Sequence, residues 1–316
     1  MSFDVSALSN YTIQNEKLLV TKSLFDAKTQ SIIQSAGNVM TSVKSAETIN
    51  VLTTDAIFQT GGTCGFNSSG SSAFTQRTVT VGKVKVHESL CPKTLESKYT
   101  QLALAAGSIY ESIPFEKQYT DLKAGTIAEQ IETALWQGNT ASADVNLNKW
   151  DGLIKLIDNS GAAVAGNTSG ITAGTGITSA NALTIVKDIK NAIPARVKGK
   201  KDVRLFCGWD VFDKLVDGFV TANYFNYGAS QLSYENGEFV IPGTAYKVTA
   251  VHGLDGTNRL FALRESNLYM GCDILGEEDK WEIFYARESM EIRFVSEFKV
   301  GINTAFPNEI VQWTLA

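Results

Sequence analysis

The sequence has little of the chemistry that metal proteins and most enzymes need. Only two histidines occur among 316 residues, and the four cysteines are widely spaced without a C-x-x-C pair. Closely spaced cysteine and histidine ligands are typical of structural zinc, and regular cysteine patterns are typical of disulfide frameworks. The composition therefore argues against a zinc site and against disulfides, and it predicts synthesis in a reducing compartment.

Long apolar runs and strongly basic tracts are also missing. No run approaches the ~18 apolar residues that span a bilayer, and the first residues lack the charged-then-apolar pattern of a signal peptide. The net charge is −5, and the densest basic stretch holds Arg196, Lys198, Lys200 and Lys201. A protein that reads DNA sequence normally carries a basic face. The sequence therefore predicts no membrane partner and only weak, non-specific contact with nucleic acid.

The glycine motifs that could support a nucleotide site are incomplete. The run from Gly170 through Gly174 to Gly176 falls short of the dinucleotide-binding pattern, and it follows a loop where that pattern needs a strand. Gly61–Gly65 lacks the lysine of a phosphate-binding loop. We interpret the first segment as a flexible loop and the second as the tip of a hairpin.

Single side chains give equally little reason to expect chemistry. His87 ends a predicted strand and His252 precedes a glycine turn, so we expect surface or hydrogen-bonded structural roles for both. Cys207 follows an apolar strand and has no histidine at motif distance, which predicts a buried, inert thiol. Glu277–Asp279 lacks calcium-loop spacing, so a solvated acidic turn is favoured over a cation site. The sequence predicts no catalytic residue, no cofactor-binding residue, no metal ligand and no cofactor.

What the sequence does contain is a series of short β-strands toward its carboxyl end. Strand patterns cover Tyr246–Ala250, Arg259–Leu263, Trp281–Tyr285 and Ile292–Ile302. Alternation of apolar residues with a period of two predicts strands with one face on a core and the other face free. The predicted free face carries the charged residues Glu282, Glu291, Arg293, Glu297 and Lys299. Such a face must meet either water or a neighbouring subunit.

A long β-ribbon is predicted in the first third of the chain. Its strand candidates are Ile49–Leu52, Ala56–Phe58 and Thr78–Val86, with a Gly/Ser-rich tip at Gly61–Ser72. Within the last of these strands the apolar positions change face at Gly82, which predicts a β-bulge or a twist. Because an isolated two-stranded ribbon is marginal in water, this one needs another surface to lie on.

Helical periodicity follows the ribbon. One helix is predicted to open at Pro92 and a second to cover about Asp121–Gln137, with a capping-box sequence at Thr126–Glu129 as an alternative start. The second helix has a narrow apolar stripe made of Ala124, Ile127, Ile131, Ala134 and Leu135. A long helix with a narrow stripe suits a rod that lies across a thin layer.

The stretch from 150 to 265 indicates a compact α+β block. Helices are predicted at Ala182–Ile193 and around Val211–Phe219, on either side of a strand at Val203–Cys207. Asn159–Thr178 is predicted to be a loop or an edge hairpin. Since the strands that follow this block could pair with residues 92–150, we expect the block to be inserted into a split outer domain. The two parts together predict two lobes.

Residues 1 to about 40 are polar and only weakly periodic. They contain too few apolar side chains to fold alone. We therefore expect an arm that becomes ordered against another surface.

The order of these parts resembles the major capsid protein of tailed bacteriophages, whose Hong Kong 97-type fold is shared with herpesvirus capsid floors and encapsulins. Local sequence similar to the family occurs at Ala182–Ile193, Arg204–Cys207, Ile241–Val248, Ser266–Gly271 and Arg293–Ile302. The resemblance implies an α+β, Hong Kong 97-like capsid fold with an N-terminal arm, an extended β-hairpin called the E-loop, a peripheral domain with a long spine helix, and an inserted axial domain. The divisions it implies are the arm at 1–44, the E-loop at 45–90, the peripheral domain at 91–149, the axial domain at 150–265, and return strands of the peripheral domain at 266–316.

The resemblance also implies a function. Such a protein would assemble with identical subunits into pentamers and hexamers that form the icosahedral head of a tailed bacteriophage. Its expected location is the capsid of the virion, assembled in the host cytoplasm. The other partners implied are a portal protein, scaffolding or decoration proteins, and packaged double-stranded DNA. Two alternatives stay open from the sequence, an encapsulin-like nanocompartment shell on the same fold and an α+β enzyme.

Overall fold

The computed structural model describes residues 27–59, 61, 65–66, 68–91, 115–222, 237–273 and 280–316, with the backbone alone at 115–120 and 280–281. Three predicted features lie outside the described residues: the first 26 residues of the arm, the helix expected at Pro92, and the acidic turn Glu277–Asp279. The Gly/Ser-rich tip Gly61–Ser72 is described in part.

Five α-helices and thirteen β-strands form within the described ranges. The helices are α1 (Lys28–Ser35), α2 (Phe115–Gln137), α3 (Leu153–Ser160), α4 (Ala182–Ala192) and α5 (Trp209–Thr221). The strands are β1 (Val39–Met40), β2 (Ala46–Thr54), β3 (Ser72–Thr80), β4 (Gly82–Leu90), β5 (Val164–Ala165), β6 (Val203–Cys207), β7 (Glu238–Val240), β8 (Lys247–Ala250), β9 (Leu260–Arg264), β10 (Leu268–Cys272), β11 (Lys280–Ala286), β12 (Glu291–Thr304) and β13 (Val311–Trp313). Short 3₁₀ turns lie at His252–Leu254, Glu265–Asn267 and Pro307–Glu309. The strands form two sheets and one two-stranded ribbon, so the chain is α+β.

The first sheet is built around β12, a strand of fourteen residues. The whole length of β4 pairs antiparallel with β12. β11 pairs with the first half of β12, and β10 pairs with its second half. β1 joins β10 in parallel. The inward side chains of this sheet pack on α2 and α3 and form the first core, whose largest members include Trp136, Leu153 and Phe294. Helix α2 therefore shares one core with the first sheet.

The second sheet has six strands in the order β5, β13, β9, β6, β8, β7. Alternate residues of its central strands face different cores. Leu205 and Ala262 belong to the second core, which α4 and α5 complete, whereas Phe206 and Phe261 belong to the first. The free face predicted for Tyr246–Ala250 and Arg259–Leu263 is therefore wrong, because the central strands of this sheet are covered on both sides.

Helix α2 is longer than predicted. It begins at Phe115, so neither Asp121 nor Thr126 starts it. Residues 115–120 contain no proline or glycine, and nothing in this segment stops the helix from extending toward its amino end. Thr126 Oγ1 donates to the carbonyl of Leu122 over 3.0 Å, as a threonine inside a helix does. The predicted apolar stripe from Ala124 to Leu135 is buried, which confirms the side of the helix that faces the core.

The predicted ribbon consists of β2 and β3, with Ala46–Thr54 antiparallel to Ser72–Thr80. After Val81 the chain leaves the ribbon and continues as β4 in the first sheet. The change of face at Gly82 therefore marks a change of sheet, and the predicted bulge is wrong. A Cβ atom at Gly82 would lie 2.3 Å from the carbonyl oxygen of Lys149, so only glycine fits this crossing.

The strand predicted at Ala56–Phe58 is also wrong. These residues are irregular and exposed, because the ribbon pairing ends at Thr54. Among the described residues, no strand pairs with the β-branched and aromatic side chains that favour a strand there.

The Gly/Ala/Thr/Ser-rich stretch predicted at Asn159–Thr178 is a loop from Gly161 onward and includes the edge strand β5, while Asn159 and Ser160 end α3. Asp188 of α4 accepts hydrogen bonds from Thr168 Oγ1 over 2.8 Å and from both the N–H and the hydroxyl of Ser169. The side chain of Asn167 donates to two further carbonyls, those of Ile171 and Thr314. These bonds fasten the loop to the second sheet and to α4.

Two elements pack with the domain next to the one to which the resemblance assigns them. Leu153 and Ile157 of α3 lie after position 150 but pack in the first core. Strand β13 lies after position 266 but pairs with β9, and its Trp313 packs in the second core. These contacts refine the division of domains that is proposed below.

The described part of the arm lies on its own chain. Helix α1 buries Ile32 and Ile33 in the first core, and β1 extends the first sheet beside β10. Asn38 Nδ2 donates to the carbonyl of Ser266 over 2.9 Å. The surface that orders residues 27–43 therefore belongs to the same subunit.

Candidate subunit-contact surface

The ribbon formed by β2 and β3 has two faces of different character. Side chains alternate along each strand, so Ile49 and Val51 share the inner face with Val79, whereas Leu52 and Phe74 share the outer face. Ile49, Val51 and Val79 of the inner face are buried, whereas Leu52 and Phe74 of the outer face are exposed. Residues 46–80, with this outer face and the tip between the strands, form the candidate contact surface.

The inner face fastens the base of the ribbon to the first sheet. Three side chains of this face pack with Ala305: Ile49, Val51 and Val79. Asn303 of β12 donates its Nδ2 to the carbonyl of Thr78 over 2.6 Å, and its Oδ1 accepts from Arg77 Nη2 over 3.4 Å. The base of the ribbon is therefore held in place by its own chain.

The outer face and the tip carry large apolar side chains that stay in water in the single subunit. Leu52 and Phe74 lie directly opposite each other, and 76% of Phe74 is exposed. At the tip Phe58 is 99% exposed, Phe66 is 94% exposed and Ile57 is 58% exposed. Full burial of such a side chain contributes ~1.5–3 kcal/mol. A cluster of this kind on one projection is typical of a surface that contacts another protein.

A carboxylate closes the ribbon below its tip. The backbone N–H of Asp55 donates to the carbonyl of Ser71 over 3.1 Å, and the Asp55 carboxylate accepts from the N–H of Ser71. Gly70 has a φ of +95°, and a Cβ there would lie 3.1 Å from the same carboxylate. This closure fixes where the paired strands end and the tip begins.

The charged face predicted for the first sheet is partly free. Glu282 and Arg293 are exposed. Glu297 contacts Lys85 Nζ at 3.3 Å and His87 Nε2 at 3.5 Å across the β4–β12 pair. The hydrogen bond from Lys85 lowers the pKa of the Glu297 carboxyl. In this half of β12 the predicted alternation is confirmed.

Lys299 is an exception to the predicted free face. Its side chain is only 5% exposed, and its Nζ lies 3.2 Å from Oδ2 of the fully buried Asp273. Lys44 also contacts Asp273, at 3.4 Å. The arm and the base of the ribbon cover this end of β12, so charges that follow the strand period are buried there.

The residues weighed for chemistry lie on separate elements. His87 is on β4, and His252 is in a 3₁₀ turn, where its Nδ1 lies 2.8 Å from Asp255 and its ring stacks on Trp209 at 5.7 Å. Cys207 is buried in β6, and burial raises the pKa of its thiol.

The described residues contain neither a metal-ligand cluster nor a helix that could span a membrane. Across the described ranges no three histidine, cysteine, aspartate or glutamate side chains come together as metal ligands. The helices of the same ranges include none with the length and apolar character required to cross a bilayer.

Four residues of the candidate contact surface were not predicted from the sequence: Leu52, Phe58, Phe66 and Phe74. Leu52 follows Val51 directly, so it falls on the opposite face from the buried pair Ile49 and Val51. Phe66 and Phe74 stand alone within polar, Gly- and Ser-rich sequence, and Phe58 follows Ile57 just before that sequence begins. An isolated aromatic residue in a segment that cannot bury it locally is the signal that could have identified this surface.

Known proteins resemble this chain in fold but not in sequence. No protein-family model matches the chain, and no curated protein is similar to it in sequence. The procapsid of satellite phage P4 that includes the size determination (Sid) protein aligns with a TM-score of 0.57 and 11% identity over 96% of this chain and 98% of that chain. The capsid of a native GTA particle gives 0.55 and 12% identity over 90% of each chain. The capsid of Myoviridae phage XM1 gives 0.54 and 13% identity over 90% of this chain and 91% of that chain.

These likenesses establish the fold. The alignments cover nearly the whole of this chain and nearly the whole of the capsid subunits. The chain therefore has the α+β, Hong Kong 97-type fold of tailed-phage major capsid proteins, which confirms the fold predicted from the order of its parts.

Proposed function

We propose that this chain is the major capsid protein of a tailed bacteriophage. It would self-assemble into pentamers and hexamers that form an icosahedral head around double-stranded DNA. The shared fold supports this proposal, and so does the likeness to capsid subunits over nearly the full length. A fold alone does not determine function, so the proposal depends on the surface of the subunit.

The observation that carries the proposal is the exposed apolar ribbon. Its base is fixed on the first sheet, while the outer face and the tip expose Leu52, Ile57, Phe58, Phe66 and Phe74. In a monomer, apolar side chains that are held in contact with water contribute no burial free energy. A neighbouring copy that covers this surface would recover the lost burial free energy.

Assembly into closed rings follows from the form of this contact. The ribbon of one subunit would meet a different surface on the next, which makes the contact heterologous. Heterologous contacts generate rings when the rotation between subunits closes, and pentamers and hexamers are such rings. Many modest contacts then stabilise the lattice together.

The remaining partners and the location belong to the same proposal. We place the protein in the capsid of the virion, assembled in the host cytoplasm, with a portal protein and scaffolding or decoration proteins as further partners. A net charge of −5 favours weak, non-specific contact with the packaged DNA. The role is structural, in keeping with the expectation that the chain is not an enzyme.

We also propose the domain division implied by the family resemblance, with two refinements. The arm covers 1–44 and the E-loop 45–90, the peripheral domain combines 91–149 with 266–316, and the axial domain covers 150–265. Within this division α3 packs with the peripheral part, and β13 completes the sheet of the axial part.

The direct test is to express the full chain and to examine it by light scattering and negative-stain electron microscopy. We expect closed particles with pentameric and hexameric units. A protein that stays monomeric at every concentration, salt and pH tested would contradict the proposal. The contents of purified particles separate a phage head from a nanocompartment, because packaged protein cargo instead of DNA would favour the latter.

A pair of variants tests the ribbon itself. Phe74→Asp removes an exposed aromatic from the outer face and should abolish particles while the subunit keeps its secondary structure and melting temperature. Gln76→Asp is the matched control, because it places the same charge on the same strand and face two residues away and removes no apolar side chain. If Phe74→Asp assembled as well as the control, the ribbon would not be the contact surface.

A further inference from the structure

A buried carboxyl group lies where the arm meets the long helix, and the proposed shell function makes no use of it. Glu132 of α2 is 4% exposed. Its Oε1 accepts from the hydroxyl of Thr29 over 2.5 Å, and its Oε2 accepts from the N–H of Thr29 over 3.1 Å. Lys28, the neighbouring residue of α1, directs its Nζ toward the Gly237 carbonyl at 3.3 Å and the Glu238 carboxylate at 4.0 Å.

Trp136 connects the same junction to the second sheet. Its Nε1 donates to Thr29 Oγ1 over 2.8 Å, so a single hydroxyl contacts both Glu132 and Trp136. The indole ring packs on Phe206 at 5.4 Å and on Phe261 at 5.7 Å. Detachment of α1 would therefore remove the polar partners of a buried carboxyl group and of a buried indole N–H.

We propose that Glu132 makes the attachment of the arm depend on protonation, so that residues 27–36 are held more tightly when this carboxyl is neutral than when it is ionised. The proposal concerns the single subunit and does not depend on the proposed assembly.

The geometry accommodates both protonation states with the same heavy-atom positions. The ionised carboxylate accepts from the hydroxyl and the N–H of Thr29. The neutral carboxyl can donate its own proton to Thr29 Oγ1, which accepts from Trp136 in either state. The two states therefore keep the same heavy-atom contacts and differ in the strength of the hydrogen bonds at Thr29 and in the cost of burying the charge. An ionised carboxylate is far more costly to remove from water than a neutral one.

The groups around the junction set the direction of the effect. Burial raises the pKa of Glu132, and the hydrogen bonds from Thr29 act against this, as do the charges of His252 and Lys28. Behind Lys28 lie the Glu238 carboxylate of β7 and Arg204 of β6, which form an ion pair at 2.8 Å. The effect of burial exceeds the effects of these opposing groups, so the pKa of Glu132 is raised.

The sign of the pH dependence follows from that comparison. When α1 detaches, the carboxyl returns to water and to an ordinary pKa of about 4.3. Because the attached state has the higher pKa, attachment is strongest below that ordinary value. It weakens as the pH rises through the raised pKa and is constant above it. Each unit by which the pKa is raised corresponds to about a tenfold change in the attachment constant.

Hydrogen–deuterium exchange of the full-length, unassembled protein measures this attachment through the peptides that cover residues 27–36. Labelling times at pH 5 and pH 8 are matched for the intrinsic exchange rate. We expect uptake in the wild type to be several-fold faster at pH 8 than at pH 5. In Glu132→Gln, which cannot ionise, we expect this difference to disappear.

The matched control is Glu129→Gln, which removes a carboxyl from the exposed side of the same helix one turn earlier. It should keep the pH dependence of the wild type. His252→Gln removes the imidazole whose charge acts on Glu132 and should also keep the pH dependence. A wild-type peptide with equal exchange at both pH values would overturn the proposal, and so would a Glu132→Gln variant that keeps the difference.

Thr29 provides a second test in case Glu132→Gln does not fold. Thr29→Val removes the shared hydroxyl and should accelerate exchange of residues 27–36 at both pH values. Thr29→Ser retains the hydroxyl and should restore protection together with its pH dependence. If Thr29→Ser were as unprotected as Thr29→Val, the hydroxyl would not be what holds the arm, and the proposal would fail.

Discussion

Strands β3 and β4 are neighbours in sequence, with nine residues each and only Val81 between them, but they lie in different surroundings. β4 pairs along β12, and its inward side chains pack on the first core. β3 pairs with β2 in a ribbon whose outer face is uncovered. Local sequence makes both segments extended, whereas burial depends on which surface is available. The subunit itself covers β4, and on the proposed function a second subunit covers the ribbon.

Two phenylalanines give the largest expected contrast between the covered and the uncovered region. Phe294 on β12 is fully buried, and Phe74 on β3 is 76% exposed. Phe294→Ala should lower the free energy of unfolding by ~3–5 kcal/mol, since it removes a core aromatic and leaves a cavity. Phe74→Ala should change it by less than ~0.5 kcal/mol. Urea unfolding of the unassembled subunit, followed by circular dichroism, measures both values.

In an assembly assay we expect the opposite order, with the larger direct effect for Phe74→Ala. Phe74→Ala should reduce particle formation although the subunit is as stable as the wild type, and Phe294→Ala should reduce it only through unfolding. An equal loss of subunit stability in the two variants would show that the ribbon is covered by its own chain.

Much of the fold could be predicted because it depends on local patterns. The alternation in β4 and the apolar stripe of α2 are periodic signals that survive in the folded chain. The start of α2 could not be predicted, because a capping-box sequence at Thr126 is compatible with both a helix start and a helix interior. The burial of the second face of β8 and β9 could not be predicted from local sequence either, because helices distant in sequence pack on it.

A buried ion pair at the covered end of β12 gives the next contrast. Lys299 and Asp273 contact each other at 3.2 Å with almost no exposure. Asp273→Ala should lower the free energy of unfolding by ~3 kcal/mol or more, because it removes a buried carboxylate that the Lys299 ammonium group contacts. In the double variant Asp273→Ala with Lys299→Met, most of the loss should be recovered, since neither buried charge remains.

A double-mutant cycle in urea checks this second prediction. The matched control is Lys44→Met, which removes the exposed cation that also contacts Asp273. That variant should cost less than ~1 kcal/mol, as for an exposed ion pair. If the double variant were as unstable as Asp273→Ala alone, the loss would reflect the missing carboxylate contacts, and the charge of Lys299 would not contribute to it.

The candidate contact surface was harder to predict than the fold. Strand periodicity assigned Glu282, Arg293 and Lys299 to one free face, but the arm and the ribbon base bury the last of these. The ribbon was predicted to need a surface, yet its outward residues could not be identified before the pairing register placed Leu52 opposite Phe74. Register depends on the closure at Asp55 and Ser71, which composition does not reveal.

The smallest effect is expected at Glu297, which lies two residues from Lys299 on the same face of β12 but in its uncovered half. Its contact with Lys85 is largely solvated, so Glu297→Gln should cost ~0.5 kcal/mol or less at pH 7 and low salt. Because the folded protein lowers the pKa of this carboxyl, its contribution is present above the unfolded pKa of about 4.3 and is lost as the pH falls through the folded value. The difference between the variant and the wild type should therefore vanish in acid, and 0.5 M NaCl should reduce it at about neutral pH, where screening weakens exposed pairs. If Glu297→Gln lowered the free energy of unfolding at pH 7 as much as Asp273→Ala does, burial by the arm and the ribbon base would not determine how strongly an ion pair on β12 stabilises the fold.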